Sequence, residues 1–164
     1  MASELRVDRI IPVNGVPTGG AGGVIQIVQS TYSVSTAISA NTNYTDTGLT
    51  GTITPTRSDS KILIIVSQQG HVYATTTSNR WANMRILRGT TEIFECKQAI
   101  GGRGALSGDR SDVASVILQT LDSPNTTSAV TYHIEAQIND SNSANYTAQV
   151  NEGTSTMTLM EVSG

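Results

Sequence analysis

The stretch "VTYHIEAQIND" (130–140) decides the fold class. Tyr132, Ile134, Ala136 and Ile138 alternate with Thr131, His133, Glu135 and Gln137. In an extended chain successive side chains point to opposite faces, so the first set lines a buried face and the second meets water. The pattern recurs in both directions. "NYTDTGLTGTITP" (43–55) sets Leu49, Gly51 and Ile53 against Thr50, Thr52 and Thr54 and stops at Pro55. "GVIQIVQ" (23–29), "ANYTAQV" (144–150) and "STMTLMEV" (155–162) are further strands, and "RWANMRILRGTTEIFE" (80–95) reads as a hairpin turning at Gly89-Thr90.

Two runs are different. "SKILIIVSQQGHV" (60–72) is apolar on both faces from Ile62 to Val66, and "VASVILQTLD" (113–122) reads as another buried strand. A strand with apolar residues on both faces needs cover on both sides. A two-layer sandwich supplies only one, so self-association is expected. Eight to ten short strands with Gly, Ser, Asn and Asp between them, and no convincing 3.6-residue period, predict an all-β antiparallel sandwich of jelly-roll type.

Composition agrees. Charged residues make up 14% of the 164, against roughly 25% in an average globular chain, and Ser plus Thr about a quarter. Thr favours strands through its branched Cβ. The formal net charge is −3, without the basic face a nucleic-acid partner requires. Arg80, Arg85 and Arg88 are the nearest thing to a basic cluster and read as solvated or interface residues. No apolar run reaches the ~18 residues of a membrane span. The start Met1-Ala2-Ser3 lacks the basic and apolar regions of a secretory signal, so synthesis and folding are expected in a reducing cytoplasm.

The chain divides at a glycine tract. Residues 1–23 carry Leu5, Val7, Ile10, Ile11 and Pro12, then Gly19, Gly20, Gly22 and Gly23; residues 24–164 form the sandwich. The first part is expected to be an arm joined by a flexible linker.

Chemistry-bearing residues do not assemble into a catalytic pattern. His71 and His133 lie far apart, with His133 on the polar face of its strand. Cys96 is a single thiol, which excludes an internal disulfide and a thiolate metal cluster; without an activating base nearby it reads as a buried structural thiol. "GGRGALSGDR" (101–110) lacks the G-K-[ST] ending of a phosphate loop and is read as a surface loop. "NDSNSAN" (139–145) offers oxygens but not the spacing or terminal Glu of an EF-hand, and is read as a turn. Asn43, Asn125 and Asn145 head N-glycosylation patterns that carry no weight without a signal peptide. No enzyme, metal or cofactor is expected. Tyr73, Arg80 and Tyr146 are the candidate surface contacts for a ligand such as a host glycan.

The phrase "YTDTGLTGTITPTRSDSKILIIVSQQG" (44–70), with "MRILRGTTEIFE" (84–95), "TYHIEAQI" and "STMTLMEV", resembles a domain of structural proteins of tailed bacteriophages, notably those of marine bacteria. The opening "SELRVDRIIPVNGVPTGG" is similar to the start of fibre-like proteins in which an "L-K-V-D-x-I-x-P" segment precedes a glycine tract. The layout also resembles the trimeric jelly rolls of the tumour-necrosis-factor and complement-globular-head type, an analogy of architecture alone. The phage resemblance implies a protein of the virion surface: a trimeric knob or short fibre, either a capsid decoration protein or head fibre, or a tail-associated fibre for host attachment. Leu5, Val7, Ile10, Ile11 and Pro12 would then anchor it to the major capsid protein or to a tail or adaptor protein. The chain lacks the repetitive shaft of a long tail fibre, which favours the head. The alternative is a carbohydrate-binding module that recognises a receptor.

Overall fold

The computed structural model describes residues 23–39, 43–74, 80–102, 110–138 and 144–163. They form ten strands and one 3-10 turn, Val150–Glu152, with no α-helix among them. The strands are β1 (Val24–Tyr32), β2 (Thr36–Ile38), β3 (Thr45–Ile53), β4 (Lys61–Ala74), β5 (Arg80–Arg88), β6 (Thr91–Gly102), β7 (Arg110–Asp122), β8 (Val130–Ile138), β9 (Ala144–Ala148) and β10 (Ser155–Val162). All pairings are antiparallel.

The pairings nest. β5 pairs β6, β4 pairs β7, β3 pairs β8 and β1 pairs β10, so the chain is one long hairpin wrapped into two layers. The first sheet runs β1-β10-β4-β9-β2 with β7 on the free side of β4; the second runs β3-β8-β5-β6. Setting aside the short β2–β9 pair, this is a jelly roll. The 14-residue β4 is long enough to serve two neighbours along one edge: residues 61–67 pair β10 and residues 70–74 pair β9.

The core lies between the layers. Tyr132, Ile134, Ala136 and Ile138 of β8 are fully buried, as are Leu49 and Ile53 of β3, where the alternation predicts them. They meet Ile62, Ile64, Val66 and Val72 of β4 and Met157 and Leu159 of β10 in one apolar cluster. At 25 cal/mol per Å² of apolar surface, each large aliphatic side chain buried here contributes about 1.5–3 kcal/mol.

Two glycines fix close approaches. Gly48 sits in a bulge of β3, where three residues oppose Ile134, at φ +86°; a Cβ there would lie 2.3 Å from the Tyr32 ring. Gly70 faces inward from the middle of β4, and a Cβ would lie 2.1 Å from the Tyr146 hydroxyl.

Several buried polar groups are tied down. Ser155 Oγ accepts from the Gln68 side chain at 3.1 Å and the Gln69 amide at 2.9 Å, and lies 3.0 Å from the Gln149 amide group. Thr47 Oγ1 donates to the Ile134 carbonyl at 2.9 Å. Unpaired, each such group would cost about 1–3 kcal/mol.

Three expectations need correction. The run 113–122 is not buried on both faces: among the described residues β7 is an edge strand paired with β4 alone, with Ile117 63% and Leu121 53% exposed. In β4, Leu63 and Ile65 point away from the core and are half-buried. Apolar residues on both faces thus mark the first sheet's two sides, only one of which the described residues cover. Cys96 is likewise only partly buried, packed against the core from β6.

Candidate functional site

The two outer faces of the sandwich differ in chemistry. In antiparallel pairs, residues directly opposite share a face, so the registers give the rows of each outer surface. On the first sheet one row crosses four strands as Ile27–Met160–Leu63–Leu121. Ile27 is 59% exposed. Beside it run Val24–Val162–Lys61 on one side and Gln29–Thr158–Ile65–Gln119 on the other, and Ile117 lies opposite Ser67 one row further. Among the described residues of this face, Lys61 is the one permanent charge.

Further along the same face the surface turns polar. His71 Nε2 lies 2.7 Å from Ser111 Oγ, and the His71 and Tyr73 rings are tilted 37° with centroids 6.0 Å apart. Tyr73 is half-buried here.

The outer face of the second sheet is ionic. Arg85 donates through Nε and Nη2 to Glu135 Oε2 at 2.8 and 2.6 Å, and through Nη1 to Glu92 Oε2 at 2.9 Å. Its guanidinium lies 4.1 Å over the Tyr44 ring, a cation–π contact. The Tyr44 hydroxyl donates to Glu95 Oε1 at 2.5 Å, and Lys97 Nζ is 3.5 Å from Glu95 Oε2. Burial and the Glu95 bond push the Tyr44 phenol well above its ordinary value. The same bond, with Lys97 and Arg85 nearby, holds the Glu95 carboxyl low. His133 Nε2 stands 3.6 Å from Glu135 Oε1.

Two acids work inside the sandwich. Asp122 ends β7 and accepts from Arg88 Nη1 at 2.7 Å and from the Tyr132 hydroxyl at 2.8 Å, joining the two layers. Glu161 is fully buried. Its Oε1 accepts from the Thr56 amide and hydroxyl, both at 2.8 Å, and its Oε2 from Gln26 Nε2 at 2.5 Å. Burial pushes the Glu161 carboxyl up, but polar groups of Ser60, Gln26 and Thr56 outweigh it and hold the carboxyl below its usual value.

Of the residues singled out from sequence, Tyr146 is corrected: it is fully buried and offers no surface. Its ring fills the space left by Gly70 within the apolar core cluster, and burial pushes its phenol far up. Arg85 and Arg88 belong to opposite faces of β5 and form no cluster, since Arg85 opposes Glu135 and Arg88 opposes Tyr132. His71 and His133 stand on different sheets. Gly23 is paired to the last strand's end: its carbonyl accepts from the Ser163 amide at 3.0 Å. Leu5, Val7, Ile10, Ile11, Pro12, Gly19, Gly20 and Gly22 lie outside the described residues, as do the Arg80 side chain, most of the 101–110 loop and 139–143. Among the described residues no group of three or more His, Cys, Asp or Glu is placed to hold a metal ion.

Sequence reasoning passed over Ile27, Ile117 and Leu121 as surface residues. The signal was present: Val113, Ile117 and Leu121 recur every fourth residue on one face of β7, with Ser115 and Gln119 between them.

No protein-family model matches the chain, and no curated protein matches it. Among solved structures it is similar to one of infectious bursal disease virus strain Gx, with TM-score 0.30 and 12% identity over 85% of this chain and 36% of that one. T=1 particles derived from infectious bursal virus give TM-score 0.29 and 12% identity over 84% of this chain and 36% of that one. The Gt strain gives TM-score 0.29 and 10% identity, covering 94% and 41%. The chain therefore spans well under half of these chains. At such scores the likeness adds nothing to the fold read from the strands and says nothing of function.

Proposed function

We propose that this chain is a non-enzymatic structural component of a phage virion, a trimeric knob or short fibre on the particle surface. Its place in this reading is the head, as a capsid decoration protein or head fibre held by residues 1–23. The sequence resemblance of 44–70 to tailed-phage structural proteins supplies the virion assignment. The observation that carries the structural role is the outer face of the first sheet, where an apolar row crosses β1, β10, β4 and β7. A contiguous apolar surface of this kind marks a contact with another molecule. A receptor-binding role for glycans loses Tyr146, whose ring is in the core.

The test is immunogold labelling of purified particles with antibody to residues 24–164. Gold on the capsid supports the reading; gold on tails moves the protein to a tail fibre. Particles that lack the chain altogether overturn it.

A further inference from the structure

We infer that the outer face of the β1–β10–β4–β7 sheet is where a second copy of this chain binds. The inference rests on the proposed structural role and deepens it by naming the surface and its occupant. Scattered exposed aliphatic residues are ordinary, but here the register sets Ile27, Met160, Leu63 and Leu121 side by side, with Ile65 and Ile117 in the next two rows. β7 adds an edge with no strand paired to it among the described residues.

The size of the face fits. Strands of 9, 8, 14 and 13 residues, about 4.8 Å apart and rising about 3.3 Å per residue, cover roughly 700 Å², near the usual share of one partner in a stable interface. Its composition also fits, with an apolar middle and a polar end at Gln69, Ser115 and His71.

The scarcity of charge suits a copy and offers nothing to a partner recognised by ion pairs. The chain carries a formal net charge of −3. Residues beside a symmetry axis face their own counterparts, where like charges repel, so a nearly neutral face is favoured there. The first sheet's outer face meets that condition with Lys61 alone, at its margin. The second sheet's outer face, with Arg85, Glu92, Glu95, Lys97 and Glu135, does not. A partner recognised by charge would require more than Lys61, the one permanent charge among the described residues of this face.

The experiment is light scattering on the full chain, 17.3 kDa per copy, over a concentration series. The variants are Ile117→Lys and Leu121→Lys, with Thr52→Lys on the other outer face as control. The wild type and the control are expected to give the same multiple of the chain mass, and both β7 variants at least a tenfold shift toward monomer with unchanged circular dichroism. Should a lysine variant fail to fold, Ile117→Thr carries the test, with a smaller shift in the same direction. An oligomer that survives the β7 substitutions overturns the inference, because the copies then meet elsewhere. A wild type that stays monomeric at every concentration also overturns it, while the virion assignment still stands or falls by particle labelling.

Discussion

The two sheets have similar inner faces and opposite outer ones. Inside, both present Ile, Leu, Val, Met and Tyr to a common core. Outside, the second sheet carries a network in which Arg85 is held by Glu135, Glu92 and the Tyr44 ring, whereas the first carries an aliphatic row. Solvated ions are compatible with water, so the second sheet is finished as it stands. The aliphatic row of the first is not. The difference teaches that two layers with like interiors can end in unlike surfaces, one of paired ions and one aliphatic, and it is the aliphatic one that the proposed self-contact would cover.

Substitutions can break or sharpen this contrast, beginning beneath the first sheet. Tyr146→Ala empties a fully buried site next to Gly70 and is expected to cost about 3–5 kcal/mol, read by urea unfolding at one fixed protein concentration. A loss below about 1 kcal/mol would mean that the inner face of the first sheet is not the rigid core described.

Glu161 comes next. Its carboxyl is held below the unfolded value, so it contributes stability above the unfolded pKa and loses it as pH falls through the folded one. Glu161→Gln keeps the shape but removes the charge, with an expected loss of about 1–3 kcal/mol at pH 7. Denaturation from pH 7 to pH 2 should show the variant and wild type converging at the acid end. A constant gap would assign the effect to packing instead.

Arg85→Met tests the second sheet. The pair with Glu135 is partly solvated, so the expected loss is about 1 kcal/mol, shrinking as salt is raised. A salt-independent loss would make the network more buried than its geometry indicates. The smallest effect belongs to Thr52→Val, which breaks the 2.8 Å Thr52–Thr131 hydroxyl contact at the surface and should change stability by less than about 0.5 kcal/mol.

How much of this could be read from the sequence depends on the strand. β8 and β3 were legible because their alternation is strict and a single apolar face has one place to go. β7 was misread, since Val116 and Leu118 face one way and Ile117 and Leu121 the other, and alternation cannot separate burial by the chain's own layers from burial by a copy. Tyr146 depends on Gly70, far away in sequence and brought into range by the pairing of β4 with β9. Glu161 was legible in principle: it shares the inward parity of Met157 and Leu159, and a charge there demands donors. That those donors are Thr56 and Gln26 follows from the wrapped hairpin, not from local pattern.

The most direct test of the contrast is amide hydrogen exchange by mass spectrometry, on the full chain at low and high concentration. Peptides of β7 and β1 are expected to exchange more slowly as concentration rises, while those of β3 and β6, the edges of the ionic sheet, stay unchanged. Concentration-dependent protection in β3 or β6 instead, or none in β7, would contradict the account.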